Sequence, residues 1–146
     1  MPETAVVSDR IPPQNLEAEV SVLGAVLQES GALLRAMELL RPGDFYKEAH
    51  GKIFAACVEL FEKNEPVDLV TLANELMRRK VLDEVGGASY LASLVDAVPT
   101  AANIVHHARI VKDKALLAAL IQKGTAVVGR AYADTDDVDE VLDWAE

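Results

Sequence analysis

The residues of this chain that could do chemistry are few, and their spacing does not assemble a site. The stretch from Gly124 to Gly129 has the glycine spacing of a phosphate-binding loop. Such a loop also needs a lysine for the outer phosphates and a serine or threonine for magnesium, and it follows a strand. Arg130 and Ala131 occupy those two positions, in a helical context. We therefore expect no ATP or magnesium site in this chain.

Histidine and cysteine, the common metal ligands and nucleophiles, are also poorly placed. His106 and His107 are adjacent, so on a helix they point about 100° apart, whereas helical metal ligands typically lie about four residues apart. His50 has too few useful neighbours in sequence to form a site, and Cys57 lies in an apolar stripe, where a small buried side chain is the simplest interpretation. No Ser–His–Asp or Cys–His arrangement is recognisable. We expect no catalytic residue, no cofactor site and no metal site.

Charge is distributed unevenly along the sequence. The formal net charge is −10, and −7 of it lies in residues 134–146, which contain no base. Residues 100–132 carry five basic side chains and one acidic one, a net charge of +4. Outside residues 134–146, acidic and basic side chains are nearly equal in number. This argues against a domain that mainly coats DNA phosphates, since such domains cluster lysine and arginine. The sequence instead predicts a helical hairpin with a basic arm followed by an acidic arm.

Composition excludes several classes of protein. One cysteine rules out an intramolecular disulfide framework and a cysteine-based zinc finger. No apolar run approaches the roughly 18 to 20 residues of a membrane span, and residues 1–13 lack the pattern of a signal peptide. We expect a cytoplasmic protein with no membrane partner.

Helical periodicity runs through most of the chain. Apolar residues recur at spacings of three and four, and no segment alternates with a period of two, so we predict an all-α fold without strands. Residues 1–13 are predicted to be a flexible leader, residues 14–99 a compact helical bundle, and residues 100–146 a long helical hairpin. The predicted boundaries are an N-cap at Asn15, a break at Gly31, a stop at Arg41–Gly43, a third helix over 44–64, an N-cap at Asp68, a turn at Gly86–Gly87, a stop at Pro99, a turn over Asp134–Asp137 and a last helix from Val138 that is cut off at Glu146. The missing terminator suggests a fragment of a longer protein.

The long helix predicted from about Thr100 to Tyr132 carries a coiled-coil-like seam. Apolar or small residues recur every seven positions, and Asp113 interrupts the pattern. An apolar stripe on such a helix calls for a partner helix, so we predict self-association. The predicted seam consists of Ile110, Leu117, Leu120 and Val127.

Five ordered blocks of this sequence resemble the N-terminal region of the DnaB-type replicative DNA helicases of bacteria, and together they span about residues 10–146. The blocks are RIPPQNLEAEVSVLGAVL at 10–27, DFYKEAH at 44–50 leading into Ile53-Phe54, PVDLVTL at 66–72, GGASYL at 86–91 and ANIVHHARIVK at 102–112. The resemblance implies a non-catalytic domain, a helical bundle with a hairpin, that precedes a linker helix and a RecA-like motor. ATP, magnesium and the 5′ to 3′ helicase activity belong to that motor, which this chain lacks.

The same resemblance implies partners. Domains of this family pair through their hairpins, the pairs form a three-fold collar on a hexameric ring, and the collar docks the C-terminal domain of primase. We expect the primase contact near the turn of the hairpin, at Val128 and Tyr132, with a helicase loader as a further partner. Ala118-Ala119 replaces residues that are basic in many relatives, which puts any arginine contact there in doubt.

The alternative is a single-stranded DNA-binding module that uses the basic arm. Proteins of that kind place aromatic side chains beside basic ones, and the basic arm offers only Tyr132. We therefore expect single-stranded DNA binding to be weak, or confined to the full-length ring.

Overall fold

Seven α-helices form the described part of the chain, which is residues 10–134 and 137–146 of a computed structural model. These residues contain no strand, so the predicted all-α fold is confirmed. The predicted leader falls mostly on residues 1–9, and the predicted turn on residues 135–136, which lie outside the described residues. In chain order the helices are α1 (Leu16–Gln28), α2 (Ser30–Leu39), α3 (Glu48–Glu62), α4 (Leu69–Arg78), α5 (Gly87–Asp96), α6 (Ile104–Ala133) and α7 (Val138–Ala145).

Two helix starts are where local side-chain chemistry predicts them. The Asn15 side chain accepts a hydrogen bond from the backbone N–H of Ala18 at 2.9 Å, which begins α1. Asp68 accepts from the backbone N–H of Thr71 at 2.9 Å, and Thr71 accepts in return from the Asp68 N–H at 3.0 Å, which begins α4. Both predicted N-caps are confirmed.

Three predicted boundaries are wrong by a few residues. The break after α1 is at Glu29, and Gly31 lies inside α2. The third helix begins at Glu48 because residues 42–44 form a separate 3-10 turn, closed by a hydrogen bond from the Arg41 N–H to Asp44 at 2.8 Å. α6 begins at Ile104, after a turn in which the Ile104 N–H bonds to the carbonyl of Ala101 at 3.2 Å.

The chain divides into two compact units inside α6. One unit is residues 14–115; among the described residues, the other combines residues 10–13 with residues 116–134 and 137–146. The predicted limits of the two segments, 14–99 for the bundle and 100–146 for the hairpin, stay a prediction. Every buried hydrophobic residue of the described chain lies between Ala18 and Val111, so the core belongs entirely to the first unit.

The core is built around α1, which packs closely on α5. Val22, Leu23 and Val26 are fully buried. At Gly24 a Cβ atom would lie 2.3 Å from the carbonyl oxygen of Leu94, so only glycine allows the two helices to approach this closely. The beginning of α6 belongs to the same core, in which Ile104, Ala108 and Val111 are buried.

Candidate interaction surface

The part of α6 that belongs to the second unit exposes apolar side chains. Beyond Val111, none of the residues that the structure describes is buried. Large apolar side chains are exposed there at Leu116, Leu117, Leu120, Ile121, Val128 and Tyr132. Apolar residues that share one helix in this density are typical of an interaction site rather than of a solvated surface.

The four residues of the predicted seam have different surroundings. Leu117 is 46% exposed and Leu120 is 67% exposed. Val127 is partly buried within the second unit. Ile110 packs against the core of residues 14–115 instead. The exposed part of the predicted seam therefore begins at Leu117.

The two residues of the predicted primase contact lie one turn apart on α6. Val128 is 55% exposed, and Tyr132, at 87%, has almost its whole side chain in water. Residues four apart face the same side of a helix, so the two side chains form one apolar patch. At Gly124, one turn earlier, a Cβ atom would meet nothing within 4 Å. The surface is open along this side of the helix.

The acidic arm of the hairpin is α7, which contacts α6 within the second unit. Lys123 Nζ donates a hydrogen bond to the backbone carbonyl of Trp144 at 3.2 Å. Val138 and Leu142 are exposed on α7, beside acidic residues. The predicted long helical hairpin, with one basic and one acidic arm, is confirmed.

A buried polar network in the first unit escaped sequence reasoning. Glu19 accepts hydrogen bonds from the backbone N–H groups of Tyr46 at 2.7 Å and Lys47 at 3.3 Å, and its carboxylate lies 2.8 Å from His50 Nδ1. The other ring nitrogen of His50 lies 2.6 Å from the hydroxyl of Tyr90. The network joins α1, α3 and α5, and fixes the connection before α3. Its partners are 31 and 40 residues apart, so helical periodicity gives no signal for it.

A second charged cluster explains the basic end of α4. Glu75 is 6% exposed, and its carboxylate accepts from Arg78 Nη2 at 2.7 Å and from Arg79 Nε at 2.8 Å. These two guanidinium groups lower the pKa of Glu75 to about 2. The helix dipole favours bases at the C-terminal end of α4, and these two bases also neutralise a buried acid.

The remaining chemistry-bearing residues form no site in the described chain. Cys57 is fully buried, as predicted, and burial raises the pKa of its thiol to about 12. Gly124 and Gly129 lie within continuous α-helix. Over residues 10–134 and 137–146, no three metal-ligating side chains group together. None of the described helices has the length and apolar character to cross a membrane.

Comparisons with known proteins agree on one relationship. Residues 11–113 match the model of the DnaB-like helicase N terminal domain. The replicative DNA helicase DnaB of Geobacillus stearothermophilus is 50% identical over 95% of this chain and 31% of its own length. The replicative DNA helicase DnaC of Bacillus subtilis is 46% identical over 98% of this chain and 32% of its own length. The chain thus spans about a third of the length of each of these two relatives.

A solved structure agrees with the sequence matches. The crystal structure of the N-terminal domain of DnaB helicase from Mycobacterium tuberculosis superimposes with a TM-score of 0.89 at 49% identity. The match covers 92% of this chain and 95% of that chain, so the likeness includes nearly the whole of both.

Proposed function

The chain belongs to the family of DnaB-like helicase N-terminal domains, and from this premise we propose that it is the assembly and partner-docking domain of a hexameric replicative DNA helicase. The reaction itself, ATP-dependent unwinding of DNA, is assigned to a motor outside this chain. ATP and magnesium are assigned to that motor as well, and the cytoplasm is the proposed location. The domain contributes surfaces rather than chemistry.

One observation carries the self-association part of this proposal: the exposed apolar row on α6 beyond Ala115. Leu117 and Leu120 expose large fractions of their side chains, and each buried methylene group stabilises a contact by about 0.8 kcal/mol. The proposed occupant is the same surface of a second copy. Ala118 and Gly124 lie on or beside this row, and such small residues allow two helices to approach closely.

The decisive variant is the double substitution Leu117→Asp with Leu120→Asp. Two carboxylates would be buried without partners in the contact between copies, which costs several kcal/mol. We expect a folded monomer in sedimentation velocity across a concentration series, with the parent associating over the same range. Circular dichroism should give the same helix content for both proteins.

A matched control separates this site from general surface effects. Val70 and Met77 are 70% and 61% exposed on α4, in the other unit. The double substitution Val70→Asp with Met77→Asp introduces the same charges, and we expect it to associate like the parent. Loss of association in this control, or none in the α6 variant, contradicts the proposed surface.

Primase docking is proposed for the patch of Val128 and Tyr132. Apolar anchors within a charged rim are the usual form of a small docking site, and acidic residues of the hairpin supply the rim. These acids should mainly accelerate encounter with a basic partner, so the rate of capture should fall as salt rises. A helicase loader is a further proposed partner.

Substitution of both patch residues by alanine tests the docking proposal. We expect Val128→Ala with Tyr132→Ala to slow or abolish capture of the primase C-terminal domain in surface plasmon resonance. Circular dichroism should match the parent, because neither side chain is buried. Sedimentation should also match it, because the proposed seam includes neither residue. Equal capture by parent and variant contradicts the assignment and moves the docking site to the other unit.

The single-stranded DNA alternative finds less support. The basic arm has one further aromatic neighbour in the hairpin, Trp144, and its ring already lies 3.9 Å from Lys123 Nζ and 4.2 Å from the guanidinium carbon of Arg130. A base stacks on a free aromatic face. The arm therefore offers Tyr132 alone as a stacking platform, and we expect no oligonucleotide binding by the chain at physiological salt.

A further inference from the structure

The only tryptophan of the chain is the point at which three contacts between α6 and α7 converge. Lys123 Nζ lies 3.9 Å from the centroid of the Trp144 ring, and the guanidinium carbon of Arg130 lies 4.2 Å from it. Lys123 also donates to the backbone carbonyl of Trp144 at 3.2 Å. The ring is partly buried. Two cations of one arm thus hold one aromatic side chain of the other arm.

The spacing of the two cations fits an indole inserted between them. Lys123 and Arg130 are seven residues apart, which on an α-helix is two turns on the same side and a rise of about 10.5 Å. Both side chains can therefore reach the same ring, and both cations lie within cation–π distance of its centroid. Both faces of an indole carry the negative part of its quadrupole, so each cation is attracted to the face it covers.

Among the residues that the structure describes, the rest of α7 has few other stabilising contacts. The helix has eight residues, and isolated helices shorter than about 12 to 15 residues are marginal in water. None of its residues is buried, and its N-cap, Asp137, makes no side-chain capping bond. Val141 and Ala145 are partly buried and add limited apolar contact. The contacts of Trp144 are therefore the main described attachment of α7 to α6.

We propose that Trp144 is the latch of the hairpin: its indole, held between Lys123 and Arg130, keeps α7 folded against α6, and release of the indole opens the hairpin. Lys123 follows Leu120 by three residues, and Arg130 follows Val127 by three, so the latch holds α7 beside the proposed association surface. Opening it removes α7 from that surface and weakens association of two copies. This last consequence rests on the proposed function; the latch itself does not.

The single tryptophan makes the latch directly observable. The measurement is the fluorescence emission of the indole and its quenching by acrylamide. It is made in the Leu117→Asp, Leu120→Asp variant, so that changes in association do not alter the emission. Lys123→Met and Arg130→Gln each remove one cation while keeping much of the stem. We expect each to shift the equilibrium toward the open hairpin by about two- to fivefold, with red-shifted emission and stronger quenching. The double variant should show both effects more strongly.

Two comparisons isolate the cation from other effects of substitution. Arg130→Lys keeps a charge over the ring and should quench like the background protein. Arg109→Gln removes an exposed arginine of the other unit, and it should leave emission unchanged. Unchanged emission and quenching in the Lys123→Met, Arg130→Gln double variant would overturn the latch, as would equal effects of Arg109→Gln.

Proton NMR of the unsubstituted chain supplies a second test that needs no variant in the seam. Protons of the Lys123 side chain that lie over the indole should be shifted upfield by its ring current, and Trp144→Leu should return them to ordinary values. Ordinary values in the parent would overturn the latch. If the aspartate background stays associated, the association surface is refuted, while emission and ring-current shifts still decide the latch.

Discussion

The two units of this chain handle their apolar side chains in opposite ways. Residues 14–115 bury most of theirs in one continuous core, with Phe54, Leu72 and Leu91 wholly inaccessible to solvent. Residues 116–146 bury none of those that the structure describes, and leave Leu120 and Tyr132 mostly in water. The first unit covers its apolar core with its own residues, whereas the second exposes the apolar surface that we propose to be covered by a second copy.

Their charged groups differ in the same way. In the first unit, Glu19 and Glu75 are buried, and each is satisfied by several donors from its own unit. In the second unit the acids of α7 are exposed, and the recorded contacts of Lys123 are with Trp144. A buried charge must be neutralised during folding, but exposed charges can select and steer partners. We therefore expect the first unit to provide stability, and we propose recognition as the role of the second.

The largest expected effect is the loss of a core side chain. Phe54→Ala removes a fully buried ring that packs 5.0 Å from Phe45, centroid to centroid, and should lower the free energy of unfolding by about 3–5 kcal/mol. Leu120→Ala removes a mostly exposed side chain and should change it by less than about 0.5 kcal/mol. Urea denaturation followed by circular dichroism, at concentrations that keep the chain monomeric, measures both.

Similar losses of unfolding free energy for Phe54→Ala and Leu120→Ala in the monomer would contradict the difference between the two units. A Leu120→Ala cost that appears only as protein concentration rises would sharpen it instead, because it would place that side chain in the contact between copies. A change in the slope of the urea transition would point to an altered unfolded state rather than to lost packing.

Sequence reasoning succeeded where the cause is local. The Asn15 and Asp68 caps depend on a side chain and a backbone N–H three residues away, and both are confirmed. The predicted break at Gly31 is wrong, because a glycine in the first turn of a helix and a glycine between two helices look alike in sequence. The all-α fold and the hairpin follow from apolar periodicity over whole segments, so an error of a few residues at a boundary does not change them.

Sequence reasoning was silent where partners are distant. Glu19 has the position of an acid that favours the helix dipole, yet His50, 31 residues later, draws it into the core. The heptad pattern places Ile110 and Leu117 on the same side of the helix. It cannot show which other residues pack against that side at each position. One packs against the core and the other is exposed. Burial of each position had to come from the structure.

Replacing a glycine by alanine should change stability by an intermediate amount, and the change should have opposite signs in the two units. At Gly24 an added methyl group would meet the Leu94 backbone oxygen at 2.3 Å, so Gly24→Ala should destabilise the fold by about 1–3 kcal/mol. At Gly124 it would meet nothing within 4 Å, and alanine favours helix, so Gly124→Ala should stabilise α6 by about 0.5–1 kcal/mol. Thermal unfolding followed at 222 nm measures both changes.

Sedimentation of the same two variants adds a reading on recognition. A methyl group at position 124 would keep two helices apart if they cross there, so weaker association with a more stable helix would place Gly124 in the contact between copies. A stabilising Gly24→Ala would contradict the tight α1–α5 crossing.

The smallest expected effect is the pH dependence contributed by Glu75. Its pKa is lowered from 4.5 to about 2 by Arg78 and Arg79, so the native state holds its ionised form more tightly than the unfolded state does. The resulting stability is fully present above about pH 4.5, and is lost as pH falls toward 2. Because the Arg78 side chain is 62% exposed, solvent screening reduces the contribution to about 1 kcal/mol.

Glu75→Gln isolates that contribution, because the other carboxyl groups titrate equally in parent and variant. The variant should be less stable by about 1 kcal/mol at pH 7, and the difference should shrink to near zero at pH 2. Glu62→Gln is the control, since Glu62 is exposed and has no recorded ion pair in the described chain; it should stay within about 0.5 kcal/mol of the parent throughout. A difference for Glu75→Gln that persists at pH 2 would assign its cost to packing of the buried side chain. The first unit would then depend on its apolar core alone, without a contribution from the neutralised acid.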